Sequence, residues 1–248
     1  MPATLARQLS DADNQGIRLN SASLTEPATP AEAFMVQRET LALNGWLTAG
    51  YKVAIRPDGS SVSAPMAHIT HASRSGTAGF DRPAVDALEV EICFVLGKDL
   101  AAPGSMPYTR ETLLPHVAAI YSGVEFLGHR LDDGSRSPAL LFLADRLGNA
   151  GYVLGEELPA KVIEPGQTYP LTITINGDAV FTGPGKHPND DPVAAFPAVR
   201  QRPDRTRRQG PHHHHRQPLR RHPDTAPRRH RHQRVYDADG NGCIDAQV

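Results

Sequence analysis

Apolar positions along the chain fall into short, sharply bounded runs, and only one early stretch carries a clear helical start. Thr29-Pro30-Ala31-Glu32 offers an N-cap, a proline at the first helical position and a glutamate three residues after the cap. The spacing of Phe34, Val36 and Leu41 then predicts a helix running to Leu43 and closing near Gly45. Residues 1–28 are more polar, with a first helix expected around Ala3–Leu9. Tyr51–Ile55 predicts a short strand and Pro57-Asp58-Gly59 a turn. The Ser-, Ala-, Gly- and His-rich stretch 60–84 reads as loop. Leu88–Leu96 is the best strand in the chain, partly β-branched and stopped by Gly97. A second helix is expected from Thr109 through Val117 to Ile120, followed by strands at Ser122–Leu127 and Tyr152–Leu154. Leu171–Ile175, Asn176-Gly177 and Ala179–Phe181 form a hairpin signal.

Strands outnumber helices and do not alternate regularly with them. The class expected is therefore α+β and not a doubly wound sheet. A length of 248 residues suits one domain with or without an appendage, and 39% hydrophobic residues can build a core. Mean hydropathy is low, at −0.41. The two cysteines, Cys93 and Cys243, make no disulfide framework; Cys93 lies in an apolar run and reads as a small core residue. Neither a secretory leader nor an apolar run long enough for a membrane span is present. A soluble cytoplasmic protein with no membrane partner is expected.

The strand Leu-Glu-Val-Glu-Ile-Cys-Phe-Val-Leu places Glu89 and Glu91 on one face, roughly 6.6 Å apart. Leu88, Val90, Ile92 and Phe94 occupy the other face. Two carboxylates on an apolar strand are costly to bury unless something positive compensates them. Hard oxygen donors suit Mg²⁺ or Mn²⁺, and Glu125, again inside an apolar strand, could be a third ligand. A solvated acidic edge accounts for Glu-x-Glu equally well on spacing alone.

Five words change that balance when taken in order: Gly-Tyr-Lys-Val-Ala at 50–54, the run from Glu89 to Leu100, the run from Ala118 to Arg130, the run from Ala144 to Gly155, and Thr-Gly-x-Gly-x-His-Pro at 182–188. Together they resemble the 2-keto-4-pentenoate hydratase and 4-oxalocrotonate decarboxylase branch of the fumarylacetoacetate hydrolase superfamily, over residues 29–196. The resemblance implies a mixed, mostly antiparallel β-sheet roll or barrel with flanking helices. It implies a catalytic domain over 29–196 and a Mg²⁺ or Mn²⁺ ion held by Glu89, Glu91 and Glu125. The ion would chelate the carboxylate and 2-oxo oxygen of a small 2-oxo acid. Lys52 falls on the family's lysine, as a catalytic and substrate-binding group; taken alone it would pass for a surface lysine. Arg130 and Gly148 are implied at the substrate as well. Hydration of a 2-hydroxydienoate in aromatic-compound catabolism, by a homo-oligomer, is the implied activity. A decarboxylase or acylpyruvate-type hydrolase of the same fold is the alternative. The pattern departs from the family in two places: no aspartate aligns between Lys52 and Glu89, and Gly148 stands where the family has serine.

The tail is anomalous. From Pro197 to Arg234 only Asp204 and Asp224 oppose a mass of Arg and His, and the apolar period stops. His212–His215 resembles a metal tract, the Arg/His richness a nucleic-acid arm, and Asp237–Asp245 the first nine positions of a calcium-binding loop. Each fits poorly: arginines follow the histidines, and Val248 stands where the loop needs a bidentate glutamate. One cause covers all three, a reading-frame shift near Phe196–Pro197. Read one base later, codons for residues 216–222 can spell Gly-Ser-Leu-Cys-Gly-Ala-Ile, and those for 197–203 Arg-Leu-Phe-Ala-Asn-Ala-Leu. These match the strand and helix with which the family continues. Residues 197–248 are therefore expected to be an out-of-frame, disordered tail, with no nucleic-acid partner. A non-catalytic remnant is the reading that remains if the enzyme is inactive.

Overall fold

The structure is a computed structural model. It describes residues 2–56, 58–72, 85–98, 100 and 108–196, and the backbone of 77–80, 232–237 and 243–247.

The expected first helix is longer than its polar sequence suggested. Helix α1 (Pro2–Gln15) turns Leu5, Ala6, Leu9 and Ala12 inward, the i, i+4 and i+7 spacing of an amphipathic face. It packs on α2 (Pro30–Leu43), whose Thr29 side chain accepts from the Glu32 N–H as predicted. Phe34 and Val36 of α2 join Leu5 and Leu9 in one core with Leu141 and Leu143 of a short helix α4 (Ala139–Ala144). That helix was not expected.

Between these helices the chain makes strands. β1 (Gly50–Ile55) and β2 (Ser61–Met66) form an antiparallel pair, Ile55 opposite Ser61. A four-stranded sheet runs in the order β3 (Ile69–His71), β7 (Asn149–Glu157), β6 (Val117–Leu127), β5 (Ala87–Leu96). A five-stranded sheet runs in the order β4 (Thr77–Phe80), β10 (His232–Asp237), β11 (Cys243–Gln247), β8 (Thr168–Ile175), β9 (Asp178–Lys186). The α+β class holds. The described strands divide among three sheets.

Two expectations are corrected. The loop expected at 60–84 contains β2, β3 and β4. The helix expected from Thr109 to Ile120 stops after α3 (Arg110–Leu113) and a short 3₁₀ turn, and Val117–Ile120 already belongs to β6. Pro115 has no N–H to continue a helix, and the β-branched residues after it favour extended backbone. Within the tail, β10 and β11 pair antiparallel with Val235 opposite Ile244. Both carry β-branched residues and flank an Asp-Gly-Asn-Gly sequence, a strong hairpin signal. The His212–His215 tract and the rest of 197–231 lie outside the described residues, as do positions 238–242 of the calcium-loop match.

Candidate metal centre

Cross-strand register builds the site. In the antiparallel β5–β6 pair Glu89 stands opposite Glu125, and Glu91 opposite Gly123. Directly opposed residues share a face, so all three carboxylates project together. Each offers one oxygen within 4.8 Å of the others'. The opposite face of the same strands carries Val124, Phe126 and Leu88 in a separate apolar cluster. The alternation read from the sequence is thus the alternation observed.

The three glutamates differ in environment. The Glu89 side chain is half exposed and Glu125 is fully buried, at 50% and 0%. Glu91 is intermediate. Lys52, from β1, reaches across so that its Nζ lies 2.8 Å from Glu125 Oε2 and 3.7 Å from Glu89 Oε2. It also donates to the Leu147 carbonyl at 3.5 Å. The lysine that the resemblance placed here is therefore a buried site lysine, its side chain 9% exposed.

One cation faces three carboxylates, and the imbalance is felt. Burial, then the neighbouring charge of Glu125, pushes Glu91 up to about 8, against the pull of Lys52. Glu125 is also raised, by burial first, with Lys52 opposing. Its buried Oε2 meets the Lys52 ammonium at 2.8 Å. A dication fits here: the donors are hard oxygens that converge within 4.8 Å, and one ammonium leaves the three carboxylates with net negative charge. No other group of three metal-ligating side chains exists among the described residues.

Two further residues belong to this face and went unpredicted. Asn149 Nδ2 donates to Glu125 Oε1 at 2.8 Å, fixing the carboxylate's orientation. Tyr152 stands opposite Glu125 on β7, and its hydroxyl bonds toward Glu91 and Cys93. A side chain at Gly123 would place its Cβ 1.9 Å from that hydroxyl, so the tyrosine occupies the gap the glycine leaves. Cys93 lies on this same face, half-buried beside Met66 and Tyr152. A polar-tipped aromatic inside Ala-Gly-Tyr-Val-Leu-Gly was the available signal for Tyr152.

The resemblance also implied Arg130 and Gly148. Arg130 is buried, and its Nε and Nη2 bind Asp145 Oδ1 and O at 2.5 and 2.6 Å. Its Nη1 donates to the Asn149 carbonyl at 3.0 Å. Its guanidinium thus engages the Asp145 side chain and two backbone carbonyls beside the site. Gly148 has φ +74°, and a Cβ there would lie 2.7 Å from His129 Nε2. The missing serine thus follows from close packing in a left-handed turn. Arg146 and Leu147, at φ +56° and +53°, share that turn, each at roughly 1–2 kcal/mol.

No family model matches the chain. Among curated proteins it is 26% identical over 165 residues to the 2-oxo-hept-4-ene-1,7-dioate hydratase of Escherichia coli. The match takes in 61% of this chain and 62% of that protein, so the chain spans less than two-thirds of its relative's length. Among solved structures it superposes on 4-oxalocrotonate decarboxylase from Pseudomonas putida G7, complexed with magnesium and adipate. The TM-score is 0.56 at 15% identity, over 79% of this chain and 74% of that one. The same enzyme complexed with calcium and acetate gives 0.55. Sheets and helices thus share the α+β fold of these decarboxylase structures. At this low identity the chain is similar to a hydratase and to a decarboxylase of the branch that the sequence words resemble.

Proposed function

We propose that this chain is a divalent-metal-dependent enzyme acting on a small 2-oxo acid, and that the reaction is hydration of a 2-hydroxydienoate. The observation that carries this reading is the convergence of Glu89, Glu91 and Glu125 within 4.8 Å on one sheet face, with the Lys52 ammonium against two of them. Mg²⁺ or Mn²⁺ would be held by the three glutamates and would supply Lewis-acid polarisation of the 2-oxo group. Asn149 holds Glu125 in one orientation, and Lys52 Nζ presents N–H donors beside the carboxylates, where a substrate carboxylate can be held or a proton moved. Residues 29–196 are the catalytic part in this reading, and 197–248 an out-of-frame tail. A homo-oligomer is the assembly to expect.

Decarboxylation is the second reading, favoured by the superposition on a decarboxylase. Turnover of 2-hydroxypenta-2,4-dienoate with Mg²⁺ or Mn²⁺, followed by loss of its ultraviolet absorbance, tests the first. Glu91→Ala should abolish that turnover. CO₂ release from 4-oxalocrotonate, with no hydration of the dienoate, would transfer the assignment to the second. No turnover of any 2-oxo acid would leave a non-catalytic remnant.

A further inference from the structure

Helix α1 ends against a buried set of four charges. The side chains of Asp13, Arg130, Asp145 and Arg146 are 1%, 4%, 0% and 2% exposed. Arg146 Nη2 lies 2.7 Å from Asp13 Oδ2, and its guanidinium sits 5.3 Å from the centre of the Trp46 ring. Asp13 also faces Arg130, whose Nη1 is 3.6 Å away. Two acids balance two bases, and removing one leaves a buried charge uncompensated.

What this set holds is the left-handed turn 146–148. Non-glycine residues stay in that conformation only where their surroundings over-determine it. Arg130 pins Asp145 on one side of the turn and the Asn149 carbonyl on the other. Asp13 pins Arg146 within it. The turn in its place delivers two groups to the carboxylate face: the Leu147 carbonyl to Lys52 Nζ, and the Asn149 side chain to Glu125 Oε1.

We propose that Asp13 is a positioning residue of the glutamate centre, acting through Arg146 to hold the turn that orients Asn149 on Glu125 and Lys52 beside it. This gives the N-terminal helix, which precedes the region of family resemblance, a role in the site. The inference rests on the metal-centre reading for its ion readout but not for its amide readout.

The test compares the full chain with Asp13→Asn and with Asp13→Asn/Arg146→Gly. The double variant leaves no unpaired charge at these two positions, and its glycine takes a left-handed φ without strain. Two quantities are read: hydrogen exchange of the ¹⁵N-labelled Asn149 side-chain amide, and the Kd for Mn²⁺. In the double variant the thermal midpoint should equal or exceed that of Asp13→Asn. Its amide should exchange faster and its Mn²⁺ binding weaken, each by roughly tenfold or more, the usual effect of losing a residue that orients a ligand. Wild-type values of both in the double variant would overturn the proposal. If the wild-type chain takes up no Mn²⁺, the metal reading fails and the amide alone decides: faster exchange supports positioning, unchanged exchange overturns it. Should the neutral variants not fold, Asp13→Glu, which keeps the charge on a longer arm, is read by the same amide criterion.

Discussion

Glu89 and Glu125 stand directly opposite each other on β5 and β6, and the Nζ of Lys52 lies 3.7 Å from the first and 2.8 Å from the second. A lysine bridging two opposed carboxylates, with a third two residues along the strand, leaves the site short of positive charge. That shortage organises the predictions.

Metal affinity should follow the proton on Glu91. Its folded value of about 8 lies above the ordinary 4.5, through burial first and then the charge of Glu125. The metal-free folded chain therefore holds a proton that the unfolded chain has already released. The contribution of Glu91 to stability is fullest below 4.5, falls as pH rises through that window, and levels off above 8. A metal ion must displace the same proton. Mn²⁺ affinity should thus climb by up to about tenfold per pH unit and flatten near 8. Calorimetric titration from about pH 6 to pH 9 checks this; a flat affinity across the range would show that Glu91 is not a ligand.

Lys52→Met should separate substrate handling from metal binding. Without its cation the metal-free protein loses the partner of a buried carboxylate and melts lower. Added Mn²⁺ should then raise the midpoint more than it does in wild type, because lysine and metal compete for the same oxygens. Turnover should fall on the order of 10²-fold. Weaker Mn²⁺ binding in this variant would count against the placement of Lys52.

Much of this centre could be read before any coordinates. Glu89 and Glu91 share a face because a strand alternates, and Asn176-Gly177 turns the β8–β9 hairpin with Asn176 at φ +54°, as its dipeptide requires. Other parts were hidden for physical reasons. β2 contains Pro65, a residue that argues against a strand, and it is tolerated in a two-stranded sheet where one edge needs no partner. Asn149 and Tyr152 lie within the Ala144–Gly155 word, but what brings them to the glutamates is the register of a third strand, which the word alone does not encode. Arg130 sits in the right word and engages Asp145 and two carbonyls, and burial of this kind is invisible in a motif.

Gly148→Ser, which restores the family residue, should damage the protein. The substitution adds a Cβ at φ +74°, 2.7 Å from His129 Nε2. Left-handed strain alone costs roughly 1–2 kcal/mol, so the midpoint should drop by about 2–8 °C. Activity should not increase. A serine variant with wild-type stability and faster turnover would mean that His129 moves aside readily, and that the glycine is a functional loss and not a packing requirement.

The reading-frame explanation of the tail makes the most decisive prediction. Ile175, Val180 and Phe181, on β8 and β9, are 36%, 57% and 42% exposed, and β5 is buried only in part along its length. Among the described residues no element covers these parts of the two sheets, and the Arg/His-rich sequence 197–231 has no apolar period with which to provide one. The nucleotide sequence beyond codon 196, read one base later, should encode an amphipathic helix and then a Thr-Gly-Ser-Leu-Cys-Gly-like strand. A gene repaired to that frame should yield a protein that melts several degrees higher, since burying even three such side chains is worth several kcal/mol. It should also bind the hydrophobic dye ANS less. If the shifted frame holds no such word, the tail is native, and β10 and β11 are then its own contribution to the five-stranded sheet.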